Sequence, residues 1–320
     1  MFNIVERRRW YFLFSALIIV PGILIMIYST ATTGAPFRLD IDFVGGSNYS
    51  FQYTDDGPTE GDIRAVFRDL TGDEVVVQQR GEPSEHKWSV TAGFYDNDTQ
   101  EAIREALAQL GPLDEDSFNF ESVSATIGHE VTQAAIAAVL VATIVITGFI
   151  VVAFRQVPNA FRYGVCAIAA MLHDILVVMG VMSLMGIVLG WKVDALFLTA
   201  VLTVVGFSVQ DSIVLFDRIR ENIPRYLGEP YEMIVNRSIW ETIHRSLATQ
   251  LNAFFIMIAI LLFGGDTIKQ FIFIFFVGLL SGTYSSIFIA VPLLVSWEKG
   301  EIPFLKGSGT LHQDAEFAEA

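Results

Sequence analysis

The sequence predicts an α-helical membrane protein with six transmembrane helices and one small α+β domain outside the membrane. Hydrophobic residues make up 52% of the 320-residue chain and charged residues 17%, and the mean hydropathy is +0.50. This composition excludes an ordinary soluble enzyme. Six apolar runs long enough to cross a bilayer divide the chain, and one polar stretch separates the first run from the second.

The charge of the chain is concentrated in that polar stretch. The formal net charge is −15, and residues 34–130 contain 20 acidic and 6 basic residues, a net charge of −14. An acidic surface of this kind argues against nucleic-acid binding. Cys166 is the only cysteine, which excludes an intrachain disulfide and a cysteine-based metal cluster. No metal site is predicted.

Residues 1–33 are predicted to form a cytoplasmic N-terminus and the first transmembrane helix. A basic start that contains Arg7, Arg8 and Arg9 precedes an apolar run at 11–28. A cleaved signal peptide is the competing interpretation, because small residues follow the run. The run is as long as a bilayer requires and longer than a signal core, which favours an uncleaved span.

Residues 34–130 are predicted to form a ferredoxin-like domain. Thr59 opens a helix to Leu70 with Asp62 at the capping-box spacing, and Asp98 or Thr99 caps a second helix that ends at Leu110. Strand patterns surround these helices at 48–53, 74–79, 87–91 and 117–123. The order βαββαβ predicts a four-stranded sheet with both helices on one face.

The remaining apolar runs lie within 131–297. They occupy 131–154, 163–189, 195–216, 247–263 and 271–295. With the first span they make six, so both termini lie on one side of the membrane. Short loops on that side hold seven arginines, whereas those opposite hold only Lys192 and Lys269. The positive-inside rule therefore places both termini in the cytoplasm and the acidic domain outside it.

Two cytoplasmic segments follow from this orientation. Residues 218–245 interleave apolar and charged residues, a pattern typical of an amphipathic helix at the membrane surface. Residues 298–320 are predicted to be an acidic, disordered cytoplasmic tail.

The fourth span carries the candidate functional residue. Residues 206–222 read GFSVQDSIVLFDRIREN, which places Gln210 and Asp211 inside the span. A carboxylate there costs a few kcal/mol and indicates an ion or proton path facing protein. The alternative is a structural aspartate that hydrogen-bonds to a neighbouring helix.

Arg245 and Thr249 are candidate partners of Asp211, because their spacing of four places them on one helix face. Arg245 is either an ordinary positive-inside anchor or the counter-ion of a buried carboxylate. If it faces Asp211, protonation of Asp211 would remove their attraction and let the two helices separate.

Two further pairs in the spans are weaker candidates. His173 and Asp174 lie in mid-span and form a candidate second relay, or pack against polar groups of a neighbouring helix. As adjacent residues they point about 100° apart, so they are not expected to serve one small site. Gly278 and Gly282 form a GxxxG pattern that suits close helix packing.

Several catalytic motifs are absent from the sequence. The chain contains no GxxxxGK[ST] phosphate loop, HExxH zinc motif, GxSxG elbow or dinucleotide fingerprint. The sequence therefore predicts a protein that is not an enzyme and has no NTPase site or cofactor.

Six stretches of the sequence are distinctive: IDFVGG at 41–46, MLHDILVVMG at 171–180, VVGFSVQDSIVLFDRIREN at 204–222, NRSIWETIHRSLATQ at 236–250, LLFGG at 261–265 and GTYSSIFIAVPLL at 282–294. Through them the chain resembles the SecF branch of the RND-like SecD/SecF family of protein-export membrane proteins. The SecF branch is favoured because SecD typically has a much larger extracytoplasmic region.

The resemblance implies a six-span half of an RND-like bundle in a bacterial inner membrane. It implies pairing with SecD and use of the proton motive force to complete export of unfolded polypeptides through the SecYEG channel and SecA motor. YajC and YidC are implied as further partners, and protons as the coupling ion. The proton relay of the family corresponds to Asp211, Arg245 and Thr249.

Three positions depart from the family pattern. The chain has Gln210 where asparagine is usual, Ser212 where threonine is frequent, and His129 where many members have proline. The first two changes keep the polar character of the site. Two alternative functions stay open: half of an RND-type small-solute proton antiporter, and a scaffold subunit that conducts no protons.

Overall fold

The computed structural model describes residues 3–55, 57–81, 83–155 and 160–302. They form two compact units, Leu39–Ile136 and the remainder of the chain. The helices are α1 (Arg8–Thr33), α2 (Ile41–Val44), α3 (Glu60–Thr71), α4 (Asn97–Leu110), α5 (Ala125–Ala153), α6 (Ala160–Val188), α7 (Ala195–Asn222), α8 (Tyr231–Phe263), α9 (Asp266–Ser285) and α10 (Val291–Glu298). The strands are β1 (Gly46–Gln52), β2 (Val76–Arg80), β3 (Lys87–Ala92) and β4 (Asn119–Val123).

Six helical segments of the described chain are long and apolar enough to cross a membrane, which confirms the predicted number. They are Val5–Thr33, Ala125–Ala153, Ala160–Val188, Ala195–Tyr226, Tyr231–Phe263 and Ile268–Glu298. Five of these six segments begin within a few residues of the start of the corresponding predicted apolar run. The fifth begins 16 residues before its run at 247–263.

The unit Leu39–Ile136 contains a four-stranded antiparallel sheet with the strand order β2-β3-β1-β4. Alternate residues of β1, among them Tyr49 and Phe51, are buried and belong to one apolar core. The same core takes Ile63 and Phe67 from α3 and Ile103 and Leu107 from α4. Both helices therefore pack on the same face of the sheet.

The helix caps of this unit were predicted in part. Thr59 and Asp62 form the predicted capping box of α3. For α4 the predicted cap was wrong: Asp96, not Asp98 or Thr99, accepts a hydrogen bond from the Thr99 N–H at 3.1 Å. Asp96 has extended backbone angles and its side chain reaches the third helical N–H, as an N-cap requires. Hydrogen bonds from Thr99 lower the pKa of Asp96.

The glycines of the DFVGG motif pack against the first turns of α5. Gly45 and Gly46 both have positive φ. A Cβ on Gly45 would lie 2.7 Å from the Ala125 Cα, and a Cβ on Gly128 would lie 2.8 Å from the Gly45 N. Because these turns of α5 pack on the motif, the compact unit extends to residue 136, beyond the limit of 130 set from the sequence. It begins at residue 39, compared with 34 in the sequence prediction.

The predicted surface helix at 218–245 is not a separate element. Its first residues complete α7, and residues 231–245 form the first turns of α8, a continuous helix of 33 residues. Pro224, Gly228 and Pro230 confine the break to the intervening turn, whereas 231–263 contains neither glycine nor proline. The predicted tail at 298–320 lies outside the described residues from 303 onward.

The sixth span changes its hydrogen-bonding pattern part of the way along. A π-helical segment, Ser286–Ala290, joins α9 to α10. Pro292 has no N–H to donate to the carbonyl four residues earlier, so a regular α-helix cannot continue through this position. A π-helical turn accommodates such an interruption and is frequent at functional sites.

Both described ends of the membrane unit lie at the same end of the bundle. Arg8, at the start of α1, forms ion pairs with Glu232 of α8 and with Glu301, which follows α10. Lys299 also contacts Glu232 at 2.6 Å. These pairs join three helix ends, as an even number of spans requires.

Glycines set the closest helix contacts of the bundle. Gly22 of α1 and Gly180 of α6 face each other, since a Cβ on Gly180 would lie 2.9 Å from the Gly22 Cα. Gly278 and Gly282 of α9 face α7, where their missing Cβ atoms leave room for Val204 and Ser208. The GxxxG pattern of the last span therefore lies at the contact between α7 and α9.

Gly278→Ala is expected to destabilise the bundle. The added methyl group would lie 2.9 Å from the Val204 Cγ1 and 3.1 Å from the Val178 Cγ2. Overpacking of this kind costs about 1–3 kcal/mol. The thermal unfolding midpoint of the detergent-solubilised protein should fall.

Gly148→Ala is the matched control, because no atom beyond its chain neighbours and the backbone of its own helix lies within 4 Å of its Cβ position. A helical Gly→Ala change without a clash should leave the midpoint unchanged or raise it. Equal midpoints for the two variants would contradict the assigned contact.

Candidate functional site

Asp211 of α7 forms a hydrogen bond with α8. The Gln250 Nε2 donates to the Asp211 Oδ2 at 2.6 Å. Gln250 is buried, whereas Asp211 is partly exposed at the side of the bundle. The carboxylate within the fourth span is therefore held from one side by an amide and is open on the other.

The structure does not bring Arg245 or Thr249 to Asp211. Both side chains are exposed, and the Thr249 hydroxyl donates to the Arg245 carbonyl of its own helix at 3.0 Å. Among the described residues, no ion pair joins Arg245 to Asp211. Gln250 follows Arg245 by five positions, a rotation of about 140° around a helix, so Arg245 lies on a different face of α8.

An apolar groove lies between α5 and α7, on the face of α7 that carries Gln210, the residue before Asp211. Val145, Phe149, Gly206, Gln210 and Ile213 are among its lining residues. Gln210, which precedes Asp211, is exposed. Gln210, Arg245 and Thr249 thus present polar groups on the outer surface of the single chain.

Asp174 lies at the centre of a second, fully enclosed polar cluster. Its carboxylate is 1% exposed. Ser208 of α7 donates to its Oδ2 at 2.6 Å, and Ser285 of α9 donates to the same oxygen at 2.7 Å. Ser281 of α9 donates to its Oδ1 at 2.6 Å.

His173 completes this cluster, contrary to the prediction that it could not share a site with Asp174. Its Nδ1 lies 3.0 Å from the Asp174 Oδ1, and its Nε2 lies 3.0 Å from the Ser15 Oγ of α1. Adjacent residues point in different directions at Cβ, but the imidazole and the carboxylate are long enough to turn towards each other. Both side chains are buried.

The three serines around Asp174 were not found by sequence reasoning. Ser281 and Ser285 are four residues apart and therefore share one face of α9. Gly282 between them has no side chain, which lets this face approach α7: a Cβ there would lie 3.3 Å from the Ser208 Cβ. The spacing of four between Ser281 and Ser285 could have indicated this site from the sequence, because it places two hydroxyls on one helix face, where both can donate to a carboxylate in mid-span.

A metal centre is not formed by the described residues, in which no three His, Cys, Asp or Glu side chains gather around one point. Cys166 is buried and forms no disulfide.

The chain matches the family described as protein export membrane protein SecD/SecF, C-terminal, over residues 102–300. A protein translocase subunit SecF of Anaerolinea thermophila is 43% identical over 303 residues, which cover 94% of this chain and 96% of that protein. A protein translocase subunit SecDF of Bacillus subtilis is 30% identical over 93% of this chain.

The fold is similar to a solved structure of the same kind. The crystal structure of SecDF from Thermus thermophilus, a translocon-associated membrane protein, aligns with 93% of this chain at a TM-score of 0.76 and 29% identity. This chain spans 39% of that chain and 38% of the Bacillus subtilis protein. It corresponds to one part of these longer proteins.

Gln250→Leu is expected to destabilise the contact between α7 and α8, since leucine keeps the volume but donates no hydrogen bond to Asp211. Losing a hydrogen bond to a charged group costs about 1.5–3 kcal/mol. Thermal unfolding in detergent measures the change.

The control for this substitution is Asn252→Leu, which removes an exposed amide from the same helix two residues further on. If Gln250→Leu lowered the midpoint no more than Asn252→Leu, the bond to Asp211 would not stabilise the bundle.

Proposed function

The chain belongs to the SecD/SecF family, and we propose that it couples proton movement through its membrane unit to the transport of polypeptides. It is a multi-pass membrane protein and an auxiliary subunit of Sec protein translocation. The observation that supports proton coupling is Asp211, a half-open carboxylate inside a spanning helix. Carboxylates in that position are costly and mark proton or ion paths.

The proposed coupling works through the contact between α7 and α8. An ionised Asp211 accepts the amide hydrogen of Gln250 strongly, and protonation weakens that bond. A hydrogen bond to a charged group is worth about 1.5–3 kcal/mol. One charge that crosses 100 mV supplies about 2.3 kcal/mol, which is enough to shift such a contact.

We propose SecD as the partner that covers the open side of Asp211. The SecDF proteins of Bacillus subtilis and Thermus thermophilus are single chains of which this chain spans about two fifths. A second six-span half would make a twelve-span unit, and its proposed contact surface includes the exposed residues Gln210, Arg245 and Thr249. In that unit Arg245 and Thr249 would join the relay, in trans or after helix movement.

The proposal extends to the rest of the export system. SecYEG, SecA, YajC and YidC are the proposed further partners, and the unfolded exported polypeptide is the proposed cargo. The proposed location is the bacterial inner membrane, with both termini in the cytoplasm. Seven arginines in the connections and adjoining helix turns on one side support this orientation.

The unit Leu39–Ile136 is proposed to be a ferredoxin-like domain outside the cytoplasm. The element order βαββαβ and the strand order β2-β3-β1-β4 support this assignment. The six spans are proposed to be one half of an RND-like bundle. Protons are the proposed coupling ion, without an NTPase site or a cofactor.

Asp211→Asn is expected to abolish the gradient-dependent part of secretion while leaving the complex assembled, because asparagine cannot ionise. The measurement is export of a reporter protein in vesicles with and without an imposed proton gradient. Wild type and variant are compared at equal abundance of the complex.

Asp217→Asn provides a matched control on the same helix, where Asp217 forms an exposed ion pair with Arg220 at 2.7 Å. This variant should export as the wild type does. Normal gradient-dependent export by Asp211→Asn would instead assign Asp211 a structural role and favour a scaffold subunit.

A further inference from the structure

A second carboxylate, Asp174, is buried more completely than Asp211 and is independent of it. Four hydrogen-bonding groups surround it: the hydroxyls of Ser208, Ser281 and Ser285, and the His173 Nδ1. They come from three helices, α6, α7 and α9. A buried carboxylate persists only where such partners replace the water that it has lost.

We propose that Asp174 is a second proton-binding site of the membrane unit, which exchanges between an ionised and a neutral state during the working cycle. The inference stands apart from the role of Asp211. It rests on the number and arrangement of hydrogen bonds around Asp174, which can satisfy both states.

The ionised state matches the arrangement in the structure. An ionised carboxylate has about four lone-pair sites, and here two hydrogen-bonding groups point at each oxygen. Every surrounding group then acts as a donor, and none of these hydrogens lacks an acceptor.

The neutral state needs only one hydroxyl to rotate. The Ser285 Oγ lies 2.7 Å from the Asp174 Oδ2 and 3.3 Å from the Gly282 carbonyl, so a second acceptor is already within reach of its hydrogen. A proton added to Oδ2 forms an O–H that donates to the Ser285 Oγ. The Ser285 hydrogen then turns to the Gly282 carbonyl, and no polar group is left unpaired.

His173 links this site to α1 as a positioning residue. With the hydrogen on Nδ1, it donates to Asp174, and its Nε2 accepts from the Ser15 hydroxyl. A further titratable group beside the cluster is Tyr284 of α9, whose ring lies 6.0 Å from the His173 ring and whose hydroxyl donates to the Tyr11 carbonyl of α1.

Proton binding at Asp174 would loosen the bundle. Hydrogen bonds to an ionised group are roughly twice as strong as those between neutral groups. Neutralising Asp174 therefore weakens its attachment to Ser208 of α7 and to Ser281 and Ser285 of α9 at the same time. These helices meet where Gly278 and Gly282 allow close contact, so the site is placed to regulate their separation.

The experiment is infrared difference spectroscopy of the full chain in lipid bilayers, between acidic and alkaline buffer. A neutral carboxylic acid has a C=O stretching band that an ionised carboxylate lacks. Subtracting the Asp174→Asn difference spectrum from that of the wild type isolates the contribution of Asp174. Loss of one carboxylic-acid band in the variant is expected.

Two serine variants keep the test decisive if Asp174→Asn does not fold. Ser285→Ala removes the acceptor of the added proton and should shift the band. Ser286→Ala is the matched control, because that neighbouring hydroxyl donates to the Thr283 carbonyl and leaves Asp174 untouched. The proposal is overturned if Asp174→Asn keeps every band, or if Ser285→Ala and Ser286→Ala give the same spectrum as the wild type.

Discussion

The membrane unit depends on the cost of placing carboxylates among apolar helices. Neither Asp174 nor Asp211 can be hydrated as in water, so each needs hydrogen-bond donors from the protein. Asp174 receives them from three helices and fixes how α6, α7 and α9 meet. Asp211 receives one donor, from Gln250 of α8, and leaves its other side to the surface of the chain.

Small residues make these hydrogen bonds geometrically accessible. A serine hydroxyl is short, so helices must approach closely before it can reach a carboxylate on a neighbour. Gly278 and Gly282 provide that approach for α9, as Gly22 and Gly180 do for α1 and α6. The glycines therefore allow the helices to pack closely, and this close packing brings the serine hydroxyls within hydrogen-bonding distance of the Asp174 carboxylate. Without these donors the buried charge would be strongly destabilising.

The two carboxylates have complementary positions in the proposed mechanism. Asp211 lies partly exposed at the side of the bundle, and Asp174 lies in the interior. A single helix, α7, carries Asp211 and the Ser208 donor to Asp174, three residues apart. A change in the protonation of either carboxylate would therefore alter the hydrogen bonds of the same helix, α7.

The sequence by itself determined the six spans, the βαββαβ order, the Thr59 cap and the position of Asp211 inside a span, because apolar length, local capping and a charge inside a span are properties of short segments. Only the tertiary structure decided which groups meet. Asp211 contacts Gln250 rather than Arg245 because the rotation of α8 sets the face it presents, and His173 joins Asp174 through side-chain conformation. The serine donors come from helices more than thirty residues away in sequence, which no local pattern can bring together.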